Sequence, residues 1–251
     1  MPNKLVKIIG LEYSGTTLTD LLVSSLNSKY VSLGEVERSV GHEHASKHFV
    51  CACGRPDCMY WKNKSLEYPF FLGALLNKTS IVDSSKTRSS LISCLTSDSQ
   101  IIFVYKSCLS WCISCLSRYL ILEVKPWKSS NPLKYVVPFI RIEIIRRLVI
   151  LLPLEWLLRN ILLIQFSKMA ATKAGCTFSS ISLESILRIY DGHIINNGRN
   201  HILRGNKISR AQGIVVKYKP RKHNCFRVDD IFGSIFKLFT KNTLLSLNLP
   251  E

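Results

Sequence analysis

Acidic side chains are scarce in this chain of 251 residues: 17 Asp and Glu stand against 34 Lys and Arg, a formal net charge of +17. Between Gly192 and Val228 there are none, while Arg199, Arg204, Lys207, Arg210, Lys217, Lys219, Arg221, Lys222 and Arg227 crowd together. Such a field works against a cationic ligand and favours an anionic one, without choosing among nucleic acid, anionic lipid and a small phosphorylated molecule. A solvated basic loop with no ligand would read the same way. A membrane-spanning run is also missing. Residues 136–166 are strongly apolar, yet Arg141, Glu143, Arg146, Arg147, Glu155 and Arg159 interrupt them, well short of the roughly 20 consecutive apolar residues that a spanning helix needs. Pro138 and Pro153 divide the segment further, which predicts a pair of helices forming a core insertion or lid. The alternative is peripheral contact of 136–166 with a bilayer surface, Trp156 and the arginines lying at the interface.

There is no internal repeat or low-complexity tract. Met1 to Lys7 leads directly into strand-like sequence, without a basic n-region, an apolar h-region and a small-residue cleavage site. The chain is therefore expected in the cytoplasm, membrane-associated only through 136–166, with its nine cysteines reduced. Its length suits a single α/β domain spanning residues 1–251.

What is present is most informative at residues 4–17, KLVKIIGLEYSGTT. An apolar run rich in β-branched residues ends at Gly10, and Gly15 opens a helix-like segment with Thr16 and Thr17. Glycines at such a junction let backbone N–H groups converge on an anion, and the helix adds its positive N-terminal dipole. A nucleoside triphosphatase loop reads G-x-x-x-x-G-K-[ST]. Here Thr16 stands where that Lys would be, so a nucleotide is expected to be held in another way. A glycine-rich turn without a ligand is the competing reading. A second strand-like run, Gln100 to Tyr105, leads to Lys106, and Ser114 follows eight residues later, about two helical turns on.

These two elements resemble those of the sulfotransferases whose donor is 3′-phosphoadenosine 5′-phosphosulfate. In that family a first loop, typically [KR]-S-G-T-[TS], holds the 5′-phosphosulfate, and R-D-P with a Ser eight residues after the Arg holds the 3′-phosphate. Ser14, Gly15, Thr16 and Thr17 match the first motif, with Tyr13 in the place of its cation. Lys106 and Ser114 match the second in charge and spacing, with Ser107-Cys108 in place of Asp-Pro. Residues 81–86, IVDSSK, are similar to the D-S-S-K segment of bacterial-type members, and residues 201–206, HILRGN, to their late H-x-x-x-G-N element. Cys51-Ala52-Cys53-Gly54 with Cys58-Met59-Tyr60-Trp61 is similar to C-x-C-G…C-x-[FY]-W in the same group. All five run in the family's order over residues 4 to 210.

The resemblance implies an α/β, P-loop-type doubly wound parallel sheet with helices on both faces. It also implies transfer of a sulfuryl group from 3′-phosphoadenosine 5′-phosphosulfate to a hydroxyl or amine of a small-molecule, lipid or glycan acceptor; nucleic acid is not among the expected partners. The implied donor contacts are Tyr13, Ser14, Gly15, Thr16 and Thr17, then Lys106 and Ser114, then Arg204, Gly205, Asn206 and Lys207. Glu35 corresponds to a G-E element whose carboxylate faces the donor and acts as base, with Glu37 in reserve. Lys86 is implied to neutralise the sulfonate or the bridging oxygen. A surface carboxylate or helix N-terminal charge is the plain alternative for Glu35, and a solvated lysine for Lys86. At the level of the whole protein the alternatives are a degenerate donor-binding relative, a peripheral membrane protein without catalysis, and a kinase-like phosphotransferase, the last weakened by the missing loop Lys.

The pattern of apolar runs predicts strands at 4–10, 29–33, 79–83, 100–105 and 176–182, and helices at 16–27, 88–96, 109–120, 139–166 and 229–241, with an ordinary tail at 242–251. Their alternation argues for a parallel sheet with ligands outside the carboxyl ends of its strands. Cys108, Cys112 and Cys115 have the spacing of a buried helix face. Cys51, Cys53 and Cys58, with His48 nearby, could bind zinc, but C-x-C-x4-C departs from paired C-x2-C knuckles. Thiol packing without a metal is the expectation.

Overall fold

Apolar runs alternating with helix-compatible segments build an α/β fold around one parallel sheet. The computed structural model describes residues 3–40, 51–55, 57–85, 94–123, 133–195, 201–202, 213–218, 234 and 236. The strands are β1 (Leu5–Ile9), β2 (Tyr30–Gly34), β3 (Ser80–Asp83), β4 (Gln100–Tyr105) and β5 (Thr177–Ser182). They pair in the order β2-β3-β1-β4-β5, every neighbour parallel. The helices are α1 (Thr16–Leu26), α2 (Tyr68–Leu76), α3 (Cys108–Glu123), α4 (Leu133–Ala174) and α5 (Leu183–Ile189). A short antiparallel pair, β6 (Ile194–Ile195) and β7 (Ile214–Val215), stands apart from the sheet.

Both faces of the sheet are covered, so its strands read as continuous apolar runs rather than alternating ones. On one face Val6, Ile8, Val82, Ile102 and Val104 meet Leu21 and Leu22 of α1 and Leu183 and Ile186 of α5. On the other, Ile9, Ile101 and Phe103 meet Trp111 and Cys115 of α3 and Trp156 and Ile164 of α4. Next to them Leu5 and Ile81 pack with Phe71 and Leu72 of α2. The chain leaves β1 through α1 on the first face to reach β2, and leaves β4 through α3 and α4 on the opposite face to reach β5. Connections therefore diverge between β1 and β4, and such a point opens a crevice beyond the carboxyl ends of the strands.

The five expected strands occur within a residue or so of their sequence positions, and α1 and α3 match the expected helices. The expectation of two helices over 136–166 is corrected: α4 is one helix of 42 residues that runs through both Pro138 and Pro153. A proline inside a helix costs about 3 kcal/mol through a lost hydrogen bond and a clash with the preceding turn. Burial of Leu152, Trp156, Leu157 and Ile164 against the sheet offsets this at Pro153, each large apolar side chain contributing roughly 1.5 to 3 kcal/mol. Trp156 is buried and its indole N–H donates to Lys106 O at 3.1 Å, so it belongs to the core rather than to an interface with lipid. Among the described residues no helix is long and apolar enough to cross a membrane. Most of the helices expected at 88–96 and 229–241, and the tail at 242–251, lie outside the described residues.

Candidate functional site

The β1–α1 loop is shaped by two glycines that nothing larger could replace. A Cβ on Gly10 would collide with the carbonyl oxygen of Val104 on β4. Gly15 has φ 87°, and a Cβ there would stand 2.5 Å from Leu183 Cδ1. Between them Ser14 N–H donates to Leu11 O at 3.1 Å, and Trp111 of α3 holds the loop by donating its indole N–H to Glu12 O at 2.8 Å. Tyr13 also has positive φ, 65°, which is uncommon for a residue with a side chain. The first N–H groups of α1, at Thr16, Thr17 and Leu18, have no acceptor within the helix, and no side chain caps it. Ser14 is fully buried, and its hydroxyl has no hydrogen-bond partner among the described residues. Together these donors suit a bound anion.

Across the β1/β4 divergence, the spacing of Lys106 and Ser114 is realised as a contact: Lys106 Nζ donates to Ser114 Oγ at 2.7 Å. Ser114 Oγ in turn donates to Ser110 O at 2.9 Å. The backbone of this segment is held from two sides, by Trp156 at Lys106 O and by Glu184 Oε1 of α5, which accepts from Ser107 N–H at 3.1 Å. Glu184 carried no sequence signal, because its partner lies 77 residues away.

Two buried carboxylates fix the strand ends at the other side of the crevice. Lys7 in β1 faces Asp83 in β3, Nζ to Oδ2 2.6 Å, and both side chains are essentially inaccessible. Tyr68 of α2 completes the cluster, accepting from Lys7 and donating to Asp83. The second oxygen, Asp83 Oδ1, accepts from Ser85 N–H at 2.9 Å, from Ser85 Oγ at 2.6 Å and from Val36 N–H at 3.4 Å. Asp20 of α1 accepts from Ser84 Oγ at 2.9 Å through Oδ2, while its Oδ1 has no hydrogen-bond partner among the described residues. Complete burial pushes its carboxyl up to about 7 despite that donor. Glu35 follows directly on β2, its carboxylate paired with Arg38 at 3.0 Å, and the Glu37 N–H donates to Ser85 Oγ at 3.0 Å. Glu35 and the residues before Lys86 are thus tied to one anchor, Asp83. Lys86 itself and Arg204, Gly205, Asn206 and Lys207 lie outside the described residues.

A different cluster forms at the β2 side. Cys51, Cys53 and Cys58 meet His201, 143 residues beyond Cys58, with Nδ1 3.2 Å from Cys58 Sγ. His48, the histidine near them in sequence, is outside the described residues. The spaced cysteines of α3 behave as expected: Cys108, Cys112 and Cys115 are all buried against α4.

In comparisons with known proteins, no family model and no curated protein matches this chain. The chemistry of the site itself therefore carries the functional reading.

Proposed function

We propose that the protein is a sulfotransferase of the P-loop-type, doubly wound kind, moving a sulfuryl group from 3′-phosphoadenosine 5′-phosphosulfate to a hydroxyl or amine. The observation that carries this reading is the Lys106–Ser114 contact just past β4, beside the β1–α1 loop, whose buried Ser14 hydroxyl has no hydrogen-bond partner among the described residues. A triphosphatase loop would place a lysine at position 16, and this chain has Thr16 there. A cation just past the neighbouring strand and a hydroxyl on the helix that follows it instead suit a second, separate phosphate. In this reading Ser14 and the N–H groups of Gly15 to Thr17 hold the 5′-phosphate, Tyr13 lies beside it, and Lys106 and Ser114 hold the 3′-phosphate. Arg204, Gly205, Asn206 and Lys207 close on the same nucleotide.

Transfer forms a bond from the acceptor oxygen or nitrogen to sulfur and breaks the bond from sulfur to the bridging phosphate oxygen. The acceptor proton passes to Glu35. Lys86 and the loop donors stabilise the charge that develops on the leaving 3′-phosphoadenosine 5′-phosphate. Calorimetry with 3′-phosphoadenosine 5′-phosphate and with AMP tests the assignment: the bisphosphate is expected to bind more tightly, and equal affinities would overturn it. One observation favours a second reading, a donor-binding protein without turnover. The family's cation before Ser-Gly-Thr is Tyr13 here, a side chain with one hydroxyl donor and no charge at neutral pH. Tight bisphosphate binding without transfer to any of a broad panel of acceptors would select that reading.

A further inference from the structure

Away from the nucleotide crevice, three thiols and one imidazole point at a common centre. The Sγ atoms of Cys51, Cys53 and Cys58 and a ring nitrogen of His201 all lie within 4.8 Å of one another. His201 Nδ1 is 3.7 Å from Cys51 Sγ and 3.2 Å from Cys58 Sγ. A tetrahedron with Zn–S near 2.3 Å and Zn–N near 2.0 Å has edges of roughly 3.5 to 3.8 Å. The observed separations bracket those edges, so a metal needs only small side-chain rotations to be enclosed. We propose that Cys51, Cys53, Cys58 and His201 form a closed, structural zinc site that ties the 51–61 loop to the edge of the sheet.

The backbone is arranged as thiolate ligands require. Cys51 to Gly54 is a tight turn, Gly54 N–H donating to Cys51 O at 2.9 Å with Gly54 at φ 77°. Cys58 to Trp61 is a second, Trp61 N–H donating to Cys58 O at 2.9 Å. In all three cases the backbone N–H two residues downstream acts electrostatically on the sulfur: Cys53 for Cys51, Arg55 for Cys53, Tyr60 for Cys58. Donors aimed at sulfur offset the negative charge of a thiolate. Three thiolates and one neutral imidazole around Zn²⁺ carry a net charge of −1, and the Arg55 guanidinium is close enough to act on both Cys53 and His201.

His201 is held from its backbone as firmly as from its ring. Its N–H donates to Ser32 O of β2 at 2.9 Å, its carbonyl accepts from Trp61 Nε1 at 2.6 Å, and its ring lies 4.3 Å from that of Tyr60. The next residue, Ile202, accepts from Ala52 N–H at 3.0 Å. Such outer contacts orient a ligand before the metal arrives. Four protein ligands leave no open coordination position, which distinguishes a structural from a catalytic zinc. On binding, the thiol protons pass to solvent.

The full chain, stripped with chelator and titrated with cobalt(II), should develop thiolate-to-cobalt charge-transfer absorption that saturates at one equivalent and is displaced by zinc. His201→Ala and Cys53→Ser should each weaken cobalt binding at least about tenfold, the lower end of what even outer-shell changes cost. Cys176→Ser, a half-buried thiol between α4 and β5, should leave it unchanged. Circular dichroism separates a lost ligand from a lost fold in the variants, and the native titration decides whether or not they fold. Absence of saturable charge-transfer absorption in the native chain would overturn the site. Neither readout depends on nucleotide binding.

Discussion

Replacing Asp20 by Asn should turn a pH-dependent liability into a nearly pH-independent contact. Asp20 is completely buried on α1, and burial raises its carboxyl from 3.8 to about 7. Below the lower value both the folded and the unfolded chain hold the proton, and Asp20 contributes nothing to pH dependence. Between about 4 and 7 the folded chain keeps a proton that the unfolded chain has released, so native stability falls as pH rises. Above the folded value the loss levels off. A gap of about 3 units at 1.36 kcal/mol each gives a swing of about 4 kcal/mol. Asn has no proton to lose, and its amide oxygen can still accept from Ser84. The stability of Asp20→Asn minus that of the native chain should therefore rise by a few kcal/mol from pH 4 to pH 7.5. Urea unfolding at constant ionic strength, followed by fluorescence of the four tryptophans, measures both proteins at each pH. Taking the difference removes every other titrating group from the comparison. Parallel curves for the two proteins would show that Asp20 is ionised in the fold at ordinary cost, and the burial argument would fail.

Three further outcomes concern the proposed nucleotide site. Lys106→Ala should weaken binding of 3′-phosphoadenosine 5′-phosphate by about 1.5 to 3 kcal/mol, the scale of a charged hydrogen bond, and leave AMP affinity unchanged in the same calorimetry. Glu35→Gln should lower turnover by roughly 10² to 10⁴ with donor affinity unaltered, as loss of a general base does; an unchanged rate would move that role to Glu37 or a histidine. Lys86→Ala should abolish single-turnover transfer, and adding Tyr13→Arg should restore part of the rate by supplying a cation from the other side of the sulfonate. Full activity in Lys86→Ala would place the missing cation elsewhere, with Arg204 or Lys207 the next to test.

The sheet was legible because a doubly covered parallel strand is the simplest pattern a sequence can show: β1 and β2 are buried at every position. The helices were less so. α2 begins with Tyr68-Pro69 and contains Gly73, and although proline in a first turn is a start signal, the segment YPFFLGALL has no clear polar face. α5 has only seven residues and follows β5 directly; its clue was Ser182, whose side chain caps it by accepting from Ser185 N–H at 3.0 Å. At the site, Lys106 and Ser114 were legible only through their resemblance in charge and spacing to the R-D-P…Ser motif, since a separation of eight residues, about two helical turns, does not by itself bring two side chains together. The Cys51–Cys53–Cys58 cluster could not be completed that way. Its fourth member is separated from it by most of the sheet, and the nearer His48 drew attention instead.

Lys7 and Asp83 show why the remainder was hidden. A lysine inside an apolar strand reads as an interruption, and the aspartate reads only as the start of a motif ending in Lys86. Their meeting depends on β1 and β3 being neighbours in register, Lys7 opposite Asp83, which no local pattern reveals. Removing either partner of such a buried pair costs about 3 to 5 kcal/mol because the other is left uncompensated. With Lys7 satisfying one oxygen, the other is available to the Val36 and Ser85 N–H groups, which lie immediately after Glu35 and immediately before Lys86. Val36 and Ser85, the neighbours of the proposed base and of the proposed sulfonate cation, are thereby tied to the sheet through one side chain. Glu184 plays the same part opposite, where Ser107 has no carboxylate of its own and its N–H is held by α5. Buried polar anchors of this kind fix the backbone at Val36, Ser85 and Ser107, next to residues proposed to act on the donor.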